Sequence, residues 1–272
     1  MEKVTIQGIK ANDHRVLSRV ITHIENDDYV QDQRFIELYD QAQEAIRLGI
    51  TGPPGAGKST IINELIKRFL KKNQTIGVIA IDPSSPFSGG ALLGDRVRMN
   101  HYNNDKSVFI RSMGSHGNLG GLARKTQEAG DILAASGKDI IIFETVGVGQ
   151  GEYDIAKAAD ITVLVLVPES GDEIQLMKAG LVEIADLFVI NKSDREGSGR
   201  LADTLNSMIN AMGNNSKPDA SVYTTVASNG KGMDKLFDGV FDHLDKLDRC
   251  GLLVQKKKER YRNRVKKLIQ EQ

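Results

Sequence analysis

The chain has 272 residues, and its 36 Lys and Arg side chains balance 36 Asp and Glu side chains at pH 7. This balance gives no general reason to expect a nucleic acid or a membrane as a partner. A single cysteine, Cys250, excludes an internal disulfide framework and a metal site built from several cysteines. No apolar run approaches the roughly 20 residues that span a bilayer. Residues 1–15 also lack the apolar core of a signal peptide, so we expect a cytoplasmic protein.

Two helices are predicted ahead of the main domain, over residues 12–25 and 33–46. In the first, the apolar residues recur at helical spacing behind an Asn-Asp start signal. They are Val16, Leu17, Val20, Ile21 and Ile24. The second segment repeats the pattern with Phe35, Ile36, Leu38, Tyr39 and Ala42.

From Ile46 onward, short apolar runs rich in β-branched residues alternate with helix-length amphipathic stretches. The runs cover residues 45–52, 75–82, 107–112, 139–145, 161–167, 187–192 and 221–227. This alternation is typical of a parallel sheet covered by helices on both faces, in which ligands bind beyond the carboxyl ends of the strands. We predict a helical extension over 1–44, the α/β domain over 45–246 and a basic helical tail over 247–272.

The basic tail contains the segment QKKKERYRNRVKK, residues 255–267, with eight Lys or Arg and one Glu. One interpretation of this segment is that it contacts a nucleic acid or a membrane. We interpret it instead as a solvated helix face. Its apolar residues would then pack on the body of the protein or on a partner: Leu252, Leu253, Val265, Leu268 and Ile269.

GPPGAGKST, residues 52–60, follows a predicted strand and opens a predicted helix, and it satisfies G-x-x-x-x-G-K-[ST]. Gly52 and Gly57 permit a turn that points several N–H groups at phosphate oxygens. Lys58 should bridge the β- and γ-phosphates, and the Ser59 hydroxyl should bind Mg²⁺. The loop contacts to the nucleotide would also include Gly55, Ala56 and Thr60. We therefore predict a P-loop NTPase with a mostly parallel central sheet, N-terminal helices and a short C-terminal helical extension; a chance match in a glycine-rich turn is the alternative.

NKSD, residues 191–194, ends another apolar strand and indicates which base is bound. Asp194 can accept hydrogen bonds from N1–H and the 2-amino group of guanine, which adenine lacks. Asn191 should brace the loop, and Lys192 should lie along the base plane. The Ala227 N–H could donate to the guanine carbonyl oxygen. NKSD alone could form an Asx-type turn, but behind a P-loop it predicts GTP and GDP rather than ATP.

Three carboxylates end or follow predicted strands: Asp82, Asp95 and Glu144. Mg²⁺ prefers oxygen ligands and usually keeps several waters, so carboxylates beside a phosphate cluster suggest direct and water-mediated contacts. Each of the three could instead form a helix cap or a turn.

The ordered motifs closely resemble the MeaB/ArgK-type GTPases, the G-protein chaperones of adenosylcobalamin-dependent acyl-CoA mutases. The resemblance covers about residues 12–245 and is carried by GPPGAGKST, DPSSPFSGG, LLGDRVRM, ETVGVGQGE, GDEIQLMKAGLVEIAD and NKSD. It implies slow GTP hydrolysis, stimulated by the mutase, that gates cofactor loading and the removal of inactivated cofactor. It also implies a homodimer, a mode that the short C-terminal extension of this chain leaves open.

The resemblance also implies roles for individual residues. The residues around Mg²⁺ would be Ser59, Asp82, Asp95 and Glu144, and those assigned to catalysis Lys58, Asp95 and Glu144. Asp95 would lie in the first switch, and residues 144–147 would begin the second, with Gly147 donating its N–H to the γ-phosphate. Residues 169–178 resemble a further switch loop, in which Asp172 and Lys178 would be the active polar members. The residue that orients the attacking water stays open, with Gln150 a candidate, and Arg96 or Arg98 could counter phosphate charge.

Three other functions fit parts of the sequence. A metal-insertion GTPase of the hydrogenase or urease type is the first, although such proteins usually carry Cys and His clusters. A small-molecule kinase would transfer phosphate to an acceptor, and NKSD argues against it. A non-catalytic scaffold would bind GTP without turnover. Which acyl-CoA mutase is served is not indicated by any motif.

Overall fold

The computed structural model describes residues 6–26, 44–82, 102, 105–114, 119–145, 151–168, 181–212 and 220–270. The helix predicted over 33–46 lies outside these residues up to position 43, and its described end is not helical, because Ile46 begins the first strand. Across the described parts of the chain, no helix is both long and apolar enough to cross a membrane.

The core of the fold is a parallel sheet of seven strands, as the alternating pattern predicts. The strands are β1 Ile46–Thr51, β2 Ile76–Asp82, β3 Val108–Gly114, β4 Ile140–Glu144, β5 Ile161–Leu166, β6 Leu187–Ile190 and β7 Ser221–Thr224. Their order across the sheet is β3-β2-β4-β1-β5-β6-β7, and every pairing is parallel. The last strand ends at Thr224, earlier than the predicted run, because Val226 turns to pair with Lys231 and a short 3₁₀ helix follows over Ala227–Asn229.

Helices precede the sheet, connect its strands and follow it. They are α1 Ile6–Lys10, α2 His14–Glu25, α3 Lys58–Lys71, α4 Leu119–Ala135, α5 Gly151–Ala158, α6 Leu181–Ile184, α7 Ser198–Met212, α8 Met233–Arg249 and α9 Leu252–Gln270. The predicted helix over 12–25 begins at His14, because the Asp13 side chain caps it by accepting from the N–H groups of Arg15 and Val16.

Apolar residues fill both faces of the sheet. On one face, strand residues such as Ile142 pack with α3 and α8, including Phe69 and Phe237. On the other face, α1, α2 and α4 bury residues such as Leu17 and Leu133 against the sheet. The central strands are therefore enclosed on both sides, as is usual for a parallel sheet.

Aspartates fix the amino ends of three strands, the end of the sheet that we call its base. An aspartate directly precedes each of β4, β5 and β6: Asp139, Asp160 and Asp186, respectively. Each carboxylate accepts a backbone N–H from the start of another strand. The donors are the N–H groups of Thr75 at 2.7 Å, Arg47 at 2.9 Å and Thr162 at 2.8 Å, respectively.

The C-terminal helix α9 supplies cations to two of these aspartates. Lys256 Nζ lies 3.2 Å from Asp186 Oδ1 and also donates to Asp160 O across 2.8 Å. Arg260 Nη1 donates to Asp160 Oδ1 across 3.0 Å and is buried. A buried carboxylate needs a counter-charge, and α9 provides it from far along the chain.

The interpretation of the basic tail as a solvated helix face therefore holds for only some of its basic residues. Lys258 and Arg262 are exposed, as expected, but Lys256 and Arg260 turn toward the sheet. Leu252 and Leu253 pack against the core, and the side chains of the remaining predicted apolar contacts lie outside the described residues.

The environment of Asp186 favours its ionised form. Burial alone would raise the pKa of this carboxyl. The neighbouring His243 imidazole and the Lys256 ammonium, together with the Thr162 N–H, hold the pKa below its ordinary value. The stabilisation is present above the pKa of an unfolded aspartate, about 3.9, and is lost as pH falls through the lower folded value.

We expect Lys256→Met to lower the free energy of unfolding at pH 7 by about 1–3 kcal/mol, because Asp186 stays buried with one counter-charge fewer. Urea unfolding measures this change. The matched control is Lys258→Met on the exposed side of α9, which should change stability by less than about 0.5 kcal/mol. The difference between the two variants should shrink below about pH 4, as Asp186 becomes protonated. Equal destabilisation by both variants would contradict the role of this contact.

Candidate functional site

A tight loop joins β1 to α3 at the carboxyl end of the sheet, and two of its glycines are required by space. Gly52 has φ +138°, and a Cβ there would lie 2.0 Å from the Val165 carbonyl oxygen. Gly57 precedes the first residue of α3 with φ +88°, and a Cβ there would lie 2.3 Å from Asn191 Nδ2. The loop can therefore run this close to its neighbours only with glycine at these positions.

The Lys58 ammonium is held within this loop. Its Nζ donates to Gly52 O across 2.8 Å and to Pro53 O across 3.1 Å, and the residue is 7% exposed. Lys58 is also the first residue of α3, so the unsatisfied N–H groups of a helix start lie beside the cation. Of the other predicted loop residues, Ala56 is buried, Gly55 is exposed and Thr60 is half-buried. A cation and a helix amino terminus together suit an anionic ligand such as phosphate.

The end of β4 reaches the start of α3. Ser59 Oγ donates to Glu144 Oε1 across 2.7 Å, and both residues are buried. Glu144 lies opposite Ala80 of β2 in the sheet register, and Asp82 ends the same strand two residues later. The structure describes the backbone of Asp82 but not its side chain. Among the expected magnesium residues, it therefore brings Ser59 and Glu144 into direct contact.

This pair of side chains suits a hard cation. A hydroxyl and a carboxylate beside a phosphate-binding loop are oxygen ligands of the kind that Mg²⁺ prefers, and Mg²⁺ needs few protein ligands because it keeps waters. Within the described ranges, no group of three or more His, Cys, Asp and Glu residues could hold a metal ion. The Ser59 hydroxyl and the Glu144 carboxylate are oxygen donors that fit such an ion.

The side chain of Asn191 joins three segments at the end of β6. Its Nδ2 donates to Ala56 O across 2.8 Å in the P-loop. Its Oδ1 accepts from Thr225 Oγ1 across 3.1 Å and from the Ala227 N–H across 3.0 Å. Asn191 is 3% exposed, so these contacts are shielded from water. The loops after β1, β6 and β7 are thereby held in one arrangement.

The remaining residues of the predicted base site have distinct surroundings. Lys192 has φ +55° and is half-buried, and Asp194 is exposed. The Ser193 N–H donates to Thr225 O across 3.0 Å, which fixes the turn between them. The Ala227 N–H, expected to donate to a guanine carbonyl, donates to Asn191 Oδ1 across 3.0 Å.

Several predicted residues lie outside the described part of the chain. They are Asp95, Arg96, Arg98, Gly147, Gln150 and the segment 169–178 with Asp172 and Lys178. Conversely, three buried threonines at or directly after strand ends were not predicted from the sequence: Thr51, Thr145 and Thr225. In the sequence, each is a hydroxyl residue close to a motif residue at the end of an apolar run. This pattern is too common to identify a functional residue.

Fold and site together define a P-loop protein, with a cation and a helix amino terminus suited to phosphate at the end of β1. The family model described as "Methylmalonyl Co-A mutase-associated GTPase MeaB" matches residues 17–272. The chain therefore belongs to the MeaB family, and it is a GTPase that hydrolyses GTP.

Individual proteins agree with this assignment. A putative GTPase of Pyrococcus abyssi is 46% identical over 97% of this chain and 82% of its own length. The mitochondrial methylmalonic aciduria type A homolog of Mus musculus is 38% identical over 88% of this chain and 59% of its own length. Among solved structures, a LAO/AO transport system kinase has a TM-score of 0.78 at 24% identity, covering 98% of this chain and 82% of its own, and this likeness bears on the fold.

Proposed function

We propose that this GTPase is a chaperone of an adenosylcobalamin-dependent acyl-CoA mutase. GTP binding and hydrolysis would gate the loading of the cofactor and the removal of inactivated cofactor. Membership of a family described as methylmalonyl-CoA mutase-associated carries the proposal. The name of the mouse relative, which refers to methylmalonic aciduria, supports the same connection.

In the proposed mechanism, the P-loop binds the phosphates through its backbone N–H groups and Lys58. The Lys58 ammonium already lies among the loop carbonyls of Gly52 and Pro53, so little movement is needed for it to reach a phosphate oxygen. Its charge would stabilise the negative charge that develops on the transferred phosphoryl group. Gly55, Ala56, Gly57 and Thr60 complete the proposed phosphate contacts.

Ser59 and Glu144 would hold Mg²⁺ together with Asp82 and Asp95. When bound, the ion would neutralise charge on the β- and γ-phosphates. The 2.7 Å hydrogen bond between the Ser59 hydroxyl and the Glu144 carboxylate supports this assignment, because it brings the two oxygens together beside the P-loop. Glu144 also ends a buried strand, so a loop that begins there can respond to the γ-phosphate while the strand stays fixed. Gly147, outside the described residues, is the proposed donor to that phosphate.

Asp194 would select guanine by accepting hydrogen bonds from N1–H and the 2-amino group. Asn191 supports this role indirectly, because it ties the NKSD turn to the P-loop and so fixes the distance between base and phosphates. Ala227 would contribute its N–H to the guanine carbonyl by sharing it with Asn191. Lys192, at the start of the turn, would lie along the base.

A homodimer is part of the proposal, and the surface of the last two helices supports it. On α8, the exposed Asp238, Asp242 and Asp245 follow each other at intervals of four and three residues, and therefore share a face. On α9, Lys258 and Arg262 are exposed one turn apart. A two-fold arrangement would place the acidic face of one protomer against the basic face of its partner.

Asp194→Asn should lower GTP affinity by about two to three orders of magnitude, because an amide cannot accept both guanine donors. The same variant should gain affinity for xanthosine triphosphate, whose second carbonyl matches the new amide donor. Competition binding with fluorescent nucleotides measures both changes. Asp203→Asn, an exposed aspartate of α7, is the matched control and should bind GTP normally. Unchanged GTP affinity together with rejection of the xanthosine nucleotide would contradict the base-site assignment.

GTP turnover in the presence of the correct mutase should rise by at least about tenfold, because the partner completes the catalytic arrangement. The candidates are methylmalonyl-, isobutyryl-, hydroxyisobutyryl- and ethylmalonyl-CoA mutases, each loaded with adenosylcobalamin. Lys58→Ala, expected to lose nucleotide binding, controls for contaminating activity. Light scattering on the purified GTPase alone counts its subunits, and two are expected. Absence of stimulation by every candidate mutase would overturn the chaperone proposal.

A further inference from the structure

Two buried threonines meet where β1 and β4 end, beside the phosphate-binding loop. Thr51 is the last residue of β1, and Thr145 directly follows Glu144, the last residue of β4. Thr145 Oγ1 donates to Thr51 Oγ1 across 2.9 Å, and the residues are 5% and 1% exposed, respectively. The proposed mechanism gives neither hydroxyl a contact with the nucleotide. What the two hydroxyls do is join the end of β1 to the end of β4.

This contact extends the pairing of the two strands past the last backbone bond between them. Ile50 lies opposite Glu144 in the parallel register, and the Thr145 N–H donates to Ile50 O across 3.1 Å. Beyond Thr51 the chain leaves the sheet, because Gly52 adopts φ +138° and its carbonyl accepts from Lys58 instead. The two hydroxyls therefore supply a cross-strand bond where the backbone ladder has stopped.

The two strand ends joined by this bond carry the pair of oxygens proposed to bind magnesium. Thr51 leads into the loop before α3, whose second residue is Ser59, and Thr145 is covalently joined to Glu144. Ser59 Oγ and Glu144 Oε1 are 2.7 Å apart, and this spacing depends on how the ends of β1 and β4 are placed. Functional groups of this kind must be held to within about 0.5 Å of the productive geometry.

We propose that Thr145, through its hydrogen bond to Thr51, is a positioning residue for GTP hydrolysis that holds the Glu144 carboxylate against Ser59. The inference rests on the proposed role of Ser59 and Glu144 in binding Mg²⁺. It predicts an effect on the magnesium-dependent step of the reaction rather than on nucleotide binding by the loop and the base site. Removing a group that holds a metal ligand in place, without binding the metal itself, typically changes metal affinity or activity by about 10- to 100-fold.

The test compares two substitutions of Thr145. Thr145→Val keeps the β-branched shape and removes the hydroxyl, whereas Thr145→Ser keeps the hydroxyl. We expect Thr145→Val to lower kcat about tenfold and to raise several-fold the Mg²⁺ concentration that gives half-maximal turnover. Its GDP affinity, measured by fluorescence in EDTA, should stay within about twofold of the unmodified protein, and Thr145→Ser should stay within about twofold in all three measurements.

Thr51→Val removes the same hydrogen bond from the other side and gives a second, independent variant. Because both hydroxyls act through one bond, Thr51→Val should resemble Thr145→Val. The double variant should be no more impaired than either single variant. Thermal unfolding followed by circular dichroism establishes that the variants compared are folded.

Three results would each overturn the inference. The first is a Thr145→Val protein with unchanged kcat and Mg²⁺ dependence. The second is equal impairment of Thr145→Ser and Thr145→Val. The third is a double variant whose loss of kcat is the product of the two single losses. Glu144→Gln, measured in parallel, separates this inference from the proposal beneath it. Normal Mg²⁺ dependence of Glu144→Gln would remove the role of Glu144 and the inference with it. Impairment of Glu144→Gln without impairment of Thr145→Val would remove the positioning role alone.

Discussion

One buried amide, that of Asn191, joins the P-loop to the loops after β6 and β7, which form the two halves of the proposed nucleotide site. Its nitrogen bonds to the P-loop carbonyl of Ala56, and its oxygen accepts from Thr225 and from the backbone of Ala227. A phosphate site and a base site bind the two ends of one nucleotide, so the distance between them must be fixed before binding. An asparagine can do this because it offers donors at one end of a planar group and an acceptor at the other. The same contact leaves no room for a side chain at Gly57.

The opposite end of the sheet has a different task, since it must hold the strands in place. There, Asp139, Asp160 and Asp186 bind the starting N–H groups of other strands. Two of these carboxylates are neutralised from α9 by Lys256 and Arg260. These contacts fix how the starts of the strands are placed beside one another.

Local patterns in the sequence were enough to predict the architecture and the two nucleotide motifs. The β-branched runs predicted the strands, and the order of the P-loop and NKSD placed both motifs at one edge, because parallel strands share the direction of their carboxyl ends. Contacts between distant residues could not be predicted in this way. The Lys256–Asp186 pair joins residues 70 positions apart, and a lysine in a basic run gives no sign that it faces inward. The Thr51–Thr145 bond spans 94 positions and depends on the strand order. The partner of the Ala227 N–H likewise depends on where the Asn191 side chain lies.

The central claim is that Asn191 assembles the guanine-nucleotide site from separate loops, and equilibrium binding of GDP to Asn191→Ala tests it most directly. Asn206→Ala, an exposed asparagine of α7, is the matched control. We expect Asn191→Ala to weaken GDP binding at least about 100-fold, roughly 2.7 kcal/mol, while the protein stays folded and the control binds normally. GDP affinity within about threefold of the unmodified protein would show that the loops hold their positions without this side chain, and would contradict the account.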